Sequence, residues 1–231
     1  MIEAEFDKFA ERYDQEHQRS IAFSGCEAAY FARYKVEIAA DYFRALCEGK
    51  EALLDFGCGP GTSLPLFRKA LPQSRIVAAD VSRRSLAEAE ARCAGQAEYL
   101  WIAGSGLDLE TEEIGMAFAA CVFHHIPPTE HESWMTELRR VVRPGGGLVV
   151  FEHNPLNPLT HYAVSRCVFD KDAILLRART LADRLTSSGW HVRRIRFHVF
   201  FPQWLHWLRP LEPALGRIPL GGQYSVFAIK T

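Results

Sequence analysis

Nine residues, Leu53-Leu54-Asp55-Phe56-Gly57-Cys58-Gly59-Pro60-Gly61, constrain this chain more than any other stretch. Two apolar residues and an acid run into a Gly-x-Gly-x-Gly turn, and a helix-like stretch follows. A second acid, Asp80, closes the next apolar run, Ile76-Val77-Ala78-Ala79. Glycines at alternate positions let the backbone turn sharply and approach a ligand where a Cβ would collide. A carboxylate at the end of the next strand is suited to accept hydrogen bonds from a ribose. The pattern reads as a nucleoside-cofactor site. The plain alternative is an ordinary strand–turn–helix, and the two acids together argue against it.

The surrounding sequence alternates strands and helices. Residues 1–48 read as helical, with Phe6, Phe9, Ala10 and Tyr13 on one face, and Ala32, Val36, Ala39, Phe43 and Leu46 on another. Strands are expected at Ala52–Phe56, Arg75–Ala79, Tyr99–Ala103, Met116–Phe123 and Leu148–Phe151. Ser82 is expected to cap a helix that turns Leu86, Ala89 and Cys93 inward. Thr129-x-x-Glu132 reads as a capping box for a helix lined by Trp134, Leu138 and Val141. A loop-like insertion covers about 153–176. A helix from Thr180 to Gly189 precedes strands at Val192–Phe201 and Gln223–Lys230, which flank a Pro- and Trp-rich segment at about 202–222. Such alternation implies a doubly wound, mostly parallel sheet. The last two strands lack a helix between them and are expected to be antiparallel. The expected organisation is an N-terminal helical cover, 1–48, on a domain spanning 49–231.

Composition narrows the function. The chain has 231 residues, 48% hydrophobic and 24% charged, with a formal net charge of −1. It carries no broad basic field, so nucleic acid is not an expected partner. The start, Met1-Ile2-Glu3-Ala4-Glu5, lacks the pattern of a signal peptide, and no apolar run reaches membrane-spanning length. Cysteines at 26, 47, 58, 93, 121 and 167 form no Cys-x-x-Cys pair. They imply neither a zinc site nor a disulfide framework, and no metal site is read. Cys58 and Cys121 read as small apolar fillers. A cytoplasmic location is expected.

A dinucleotide fingerprint requires Gly-x-Gly-x-x-Gly. Here the third glycine, Gly61, comes one position early, position 62 is Thr, and Asp55 would repel a pyrophosphate. Both departures disfavour an NAD-type oxidoreductase. Both match motif I of the class I S-adenosylmethionine-dependent methyltransferases, which the chain resembles, most strongly over about 50–152. The resemblance implies a Rossmann-like, seven-stranded sheet with an antiparallel C-terminal strand pair, and S-adenosyl-L-methionine as cofactor. The turn, with Asp55, Gly57, Cys58, Gly59 and Gly61, would hold the methionine part. Asp80 would take the ribose hydroxyls, or cap the following helix, and Val81 would pack on adenine. At the third strand end relatives carry an acid. This chain offers Ser105, with Asp108 beyond it, or backbone alone. The acid that relatives place at the start of the fourth strand is missing at Ile114-Gly115. Cys121, at the end of the fourth strand, is a further candidate contact to the cofactor, and Tyr13 and its neighbours would cover it.

The ending Val122-Phe123-His124-His125-Ile126-Pro127 resembles the small-molecule members of that family, so a small-molecule acceptor is expected, at oxygen or carbon. His124 or His125 is the candidate base for a hydroxyl acceptor, or else orders the loop. Glu152 is either functional or a structural anchor. The aromatics of 202–222 suit a substrate wall, a homodimer interface or contact with a membrane surface. A nucleoside-binding module without methyl transfer is the alternative from another class.

Overall fold

The computed structural model describes residues 28–48, 50–167, 170 and 173–231. Tyr13 and the first expected helix face lie outside the described residues. Helix α1 (Ala28–Leu46) leads into β1 (Ala52–Phe56), α2 (Leu64–Ala70), β2 (Ile76–Asp80), α3 (Arg83–Arg92), β3 (Glu98–Trp101) and β4 (Ile114–Ala120). Then come α4 (His131–Val141), β5 (Val142–His153), α5 (Pro158–Arg166), α6 (Ala178–Ser187), β6 (His191–His198), α7 (Glu212–Leu215) and β7 (Gln223–Ile229).

The strands form one sheet in the order β3-β2-β1-β4-β5-β7-β6. β1 through β5 run parallel, while β7 lies antiparallel between β5 and β6. Chain order reverses between β1 and β4, and that switch point is where open α/β sheets bind ligands. Both faces are covered. Leu53, Met116, Phe118, Val149 and Phe151 pack under α1, α2 and α3. Their alternates Leu54, Phe56, Ala117, Ala119, Leu148 and Val150 pack under α4 and α6. Period-two side chains buried on two faces explain why these strands read as continuous apolar runs.

Local chemistry sets the element ends. Ser82 caps α3 by accepting the Ser85 N–H at 3.0 Å, as expected. Four expectations need correction. The segment between β6 and β7, expected to hold no helix, contains the one-turn α7. β4 stops at Ala120, not Phe123: Cys121 sits at φ 60°, outside strand geometry, and Phe123–His125 form a short 3₁₀ turn. The expected capping box does not form, because α4 starts at His131 behind Glu130, with no side-chain cap. The 153–176 segment is not only loop. Asn157 caps α5 within it, accepting the Leu159 N–H at 2.9 Å, and Pro158 supplies a preset first turn. In 202–222 the Glu212 carboxylate gathers the N–H groups of Val199, Phe200 and Phe201. Trp204 and Trp207 stand 71% and 66% exposed. Among the described residues no helix is long and apolar enough to cross a membrane.

Candidate cofactor and acceptor site

The glycine turn after β1 reaches three left-handed positions, with φ of 75° at Gly57, 53° at Gly59 and 79° at Gly61. The three glycines are needed for different reasons. A Cβ on Gly57 would lie 2.5 Å from Val122 Cγ2, and one on Gly61 would lie 2.9 Å from Ala89 Cβ. Those positions let the turn settle against the sheet and α3. A Cβ on Gly59 would meet nothing within 4 Å, so Gly59 borders open space.

Asp80 stitches β1 to β2 at that space. Its carboxylate accepts the Gly59 N–H and the Ser82 N–H, each at 2.8 Å. An ionised carboxylate can only accept, which suits it to the donor hydroxyls of a ribose. Asp55 lies beneath the turn, buried, and accepts the Ser63 hydroxyl. Burial pushes its pKa up to about 7 against the pull of Ser63, with the neighbouring Asp80 adding to the rise. Cys58 is buried beside it. The Thr62 hydroxyl, next to Gly61, is buried with no hydrogen-bond partner among the described residues. An orphaned hydroxyl, an open glycine and a held carboxylate at one strand edge fit a polar nucleoside ligand. Val81 packs on the core, and its carbonyl accepts the Trp101 indole N–H at 3.0 Å. Ser105 and Asp108 are both exposed on the loop after β3.

Across the switch point, β4 and β5 end in a second polar group. Cys121 is not the apolar filler its apolar run suggested. Its N–H still donates to the Phe151 carbonyl at 2.8 Å, but its left-handed backbone ends the strand there, and its sulfur accepts from Lys35 Nζ at 3.1 Å. Burial opposes the thiolate, but the charges of Lys35 and then His153 outweigh it and bring the thiol down to about 7. Tyr34 donates to Gln223 Oε1 beside them.

Glu152 is the buried anchor of the histidines. Its Oε1 accepts the Phe123 N–H at 2.8 Å, and its Oε2 meets His124 Nδ1 at 2.5 Å. The other ring nitrogen of His124 faces Asp170 Oδ1 at 3.3 Å, and His125 Nε2 faces the same oxygen at 3.4 Å. His153 Nε2 lies 3.9 Å from Asp170 Oδ2. Burial alone would lower the His124 pKa, yet Glu152 and Asp170 hold it well above the ordinary imidazole value. His125 is lowered, by burial and by the neighbouring His124. Sequence reasoning named His124 and His125 and weighed Glu152, but missed Asp170, Lys35 as a partner of Cys121, and Gln223. Asp170 stands 46 positions beyond His124 in a segment with no motif of its own.

Comparison with known proteins fits this geometry. Residues 53–146 match the family profile described as a methyltransferase domain. This span therefore carries a methyltransferase domain, and the chain is similar to the class I S-adenosylmethionine-dependent methyltransferases. Among curated relatives, a trans-aconitate 2-methyltransferase from Rhodopseudomonas palustris is 30% identical over 62% of this chain and 56% of the relative. The chain thus spans little more than half the length of that relative. A ubiquinone/menaquinone biosynthesis C-methyltransferase from Desulfotalea psychrophila is 26% identical over 85% of this chain and 76% of the relative. The crystal structure of an S-adenosylmethionine-dependent methyltransferase from Aquifex aeolicus shares the fold, with a TM-score of 0.64 at 17% identity over 93% of this chain and 98% of that one.

Proposed function

We propose that this chain transfers a methyl group from S-adenosyl-L-methionine to a small-molecule acceptor, at oxygen or carbon. The observation that carries the reading is the pair of sites along one sheet edge. The glycine turn and Asp80 lie at the ends of β1 and β2, and the histidine–carboxylate cluster lies at the ends of β4 and β5. When bound, the cofactor supplies a methyl group on a sulfonium, an activated donor for in-line displacement.

The chain's own residues would divide the remaining work. Asp80 accepts the ribose hydroxyls, the Gly57–Gly61 turn follows the methionine part, and Val81 and the loop at Ser105 border the base. Asp55 acts from beneath, holding Ser63 and the turn. Cys121, paired with Lys35, closes the fourth strand end between the two sites. At the acceptor end the main demands are alignment and exclusion of water. A hydroxyl acceptor must also lose a proton, and the cluster built on His124 and His125 is where it would do so. His124 is fixed through Nδ1 by Glu152 and faces Asp170 with Nε2, while His125 is partly exposed. A relative named for trans-aconitate and another named as a quinone-pathway C-methyltransferase support a small acceptor.

Two measurements test this. Calorimetry with S-adenosylhomocysteine should show saturable binding that Asp80→Ala weakens. Methyl-labelled cofactor should then label a small carboxylic or hydroxylic acceptor from a mixed panel. No binding by the wild-type chain overturns the cofactor assignment. Binding with no transfer to any acceptor favours the nucleoside-binding module.

A further inference from the structure

The geometry points to a binding site for one zinc-type divalent cation at His124, His125 and Asp170, with Glu152 as the group that orients His124. The site stands on its own geometry, whether or not the chain transfers methyl groups.

Two kinds of distance occur in this cluster. His124 Nδ1 and Glu152 Oε2 are 2.5 Å apart, a short, strong hydrogen bond. The contacts to Asp170 are different. His124 Nε2 and His125 Nε2 stand 3.3 and 3.4 Å from the one oxygen, Asp170 Oδ1. Charge-assisted N–H to carboxylate bonds close to about 2.7–2.9 Å. A tetrahedral zinc ion with ligand bonds of about 2.0–2.1 Å holds neighbouring ligand atoms about 3.3 Å apart. Two edges of the cluster therefore have the length of a coordination tetrahedron and exceed that of a good ion-pair hydrogen bond. The ligand atoms of all three residues lie within 4.8 Å of one another, which bounds the third edge.

The donor set selects the cation class. Two imidazoles and one carboxylate suit zinc and its transition-metal neighbours, whereas magnesium and calcium prefer all-oxygen shells. Three protein ligands also leave a fourth position, the arrangement of zinc sites that admit a further ligand. Second-sphere support is present as well. A carboxylate on the far nitrogen of a ligating histidine fixes its tautomer and aims its lone pair. Glu152 does this to His124, and its other oxygen is pinned by the Phe123 N–H at 2.8 Å. The backbone of this turn is held too, since the Ile174 N–H donates to the His124 carbonyl at 2.9 Å.

The experiment uses the full chain, stripped with a chelator and titrated with Co²⁺ and then Zn²⁺. The expected result is one saturable equivalent, with the intense visible absorption of four-coordinate Co²⁺ that Zn²⁺ displaces. His125→Ala and Asp170→Asn should each weaken binding at least tenfold, and Glu152→Gln by roughly 10–100-fold. The exposed His206, outside the cluster, serves as control, and His206→Ala should bind as wild type does. Circular dichroism establishes that each variant is folded. The wild-type spectrum needs no variant and decides the matter even where one fails to fold. Absence of a saturable equivalent, a six-coordinate spectrum, or wild-type affinity in either ligand variant overturns the site. S-adenosylhomocysteine binding, measured on the same stripped preparation, reports separately on the cofactor reading.

Discussion

Replacing Gly57 and Gly59 in turn with alanine separates folding from binding within one turn. Gly57→Ala places a Cβ at φ 75° and 2.5 Å from Val122 Cγ2, a buried side chain. The left-handed backbone costs roughly 1–2 kcal/mol for a residue with a Cβ. Overpacking against a buried valine adds about 1–3 kcal/mol. The expected loss is therefore about 2–5 kcal/mol. Gly59→Ala meets the same kind of backbone at φ 53° but finds nothing within 4 Å. Its loss should stay near 1 kcal/mol. Its Cβ, however, enters the open space beside Asp80, so affinity for S-adenosylhomocysteine should fall at least tenfold. Urea unfolding measures the first quantity and calorimetry the second. Adding Val122→Ala to Gly57→Ala should recover on the order of 1 kcal/mol relative to additivity, because the two side chains compete for one volume. Equal destabilisation by the two glycine variants, or simple additivity in the double variant, refutes the packing account. Undiminished affinity in Gly59→Ala refutes the placement of the ligand.

Three further outcomes are expected. Alkylation of Cys121 by iodoacetamide, followed by peptide mapping, should accelerate as pH rises through about 7, and Lys35→Met should move that midpoint upward; an ordinary thiol midpoint in the wild type removes the Lys35 argument. Glu152 is held below the usual carboxylate range, since His124 outweighs the effect of burial, so its contribution to stability is present above the unfolded pKa of about 4.3 and fades as pH falls. Glu152→Gln should then flatten the acid limb of a stability–pH profile, and an unchanged limb counts against the pairing. Asn157→Ala should cost about 0.5–2 kcal/mol in urea unfolding through loss of the α5 cap, and a neutral result means the cap contributes nothing.

The legible parts of this chain were those where one local segment carries its own physics. The β1 boundaries, the turn, the Ser82 cap and the two acids all follow from contiguous residues. The antiparallel end of the sheet was also expected, but on a premise that fails, since short helical turns, α7 among them, lie between the last two strands. The polar cluster was only half legible. His124 and Glu152 were visible at strand ends, but their partnership spans 28 positions, and Asp170 enters from an insertion without periodicity. Cys121 was misjudged because an apolar run conceals a single left-handed residue, which no propensity announces. The capping box failed for a related reason: the pattern Thr-x-x-Glu was present, but the helix began two residues later than Thr129.

β7 is the last strand in chain order, yet it lies inside the sheet, between β5 and β6. Until residues 223–229 emerge during synthesis, β5 presents an open edge and β6 has no neighbour to join. Unpaired edges of this kind invite wrong partners, and pairing across such sequence separations is slow. Gln223, at the head of β7, is also the residue to which Tyr34 donates. The assembly of that corner therefore waits for the final strand, and a nascent chain arrested before it would carry the glycine turn without the Tyr34–Gln223 contact.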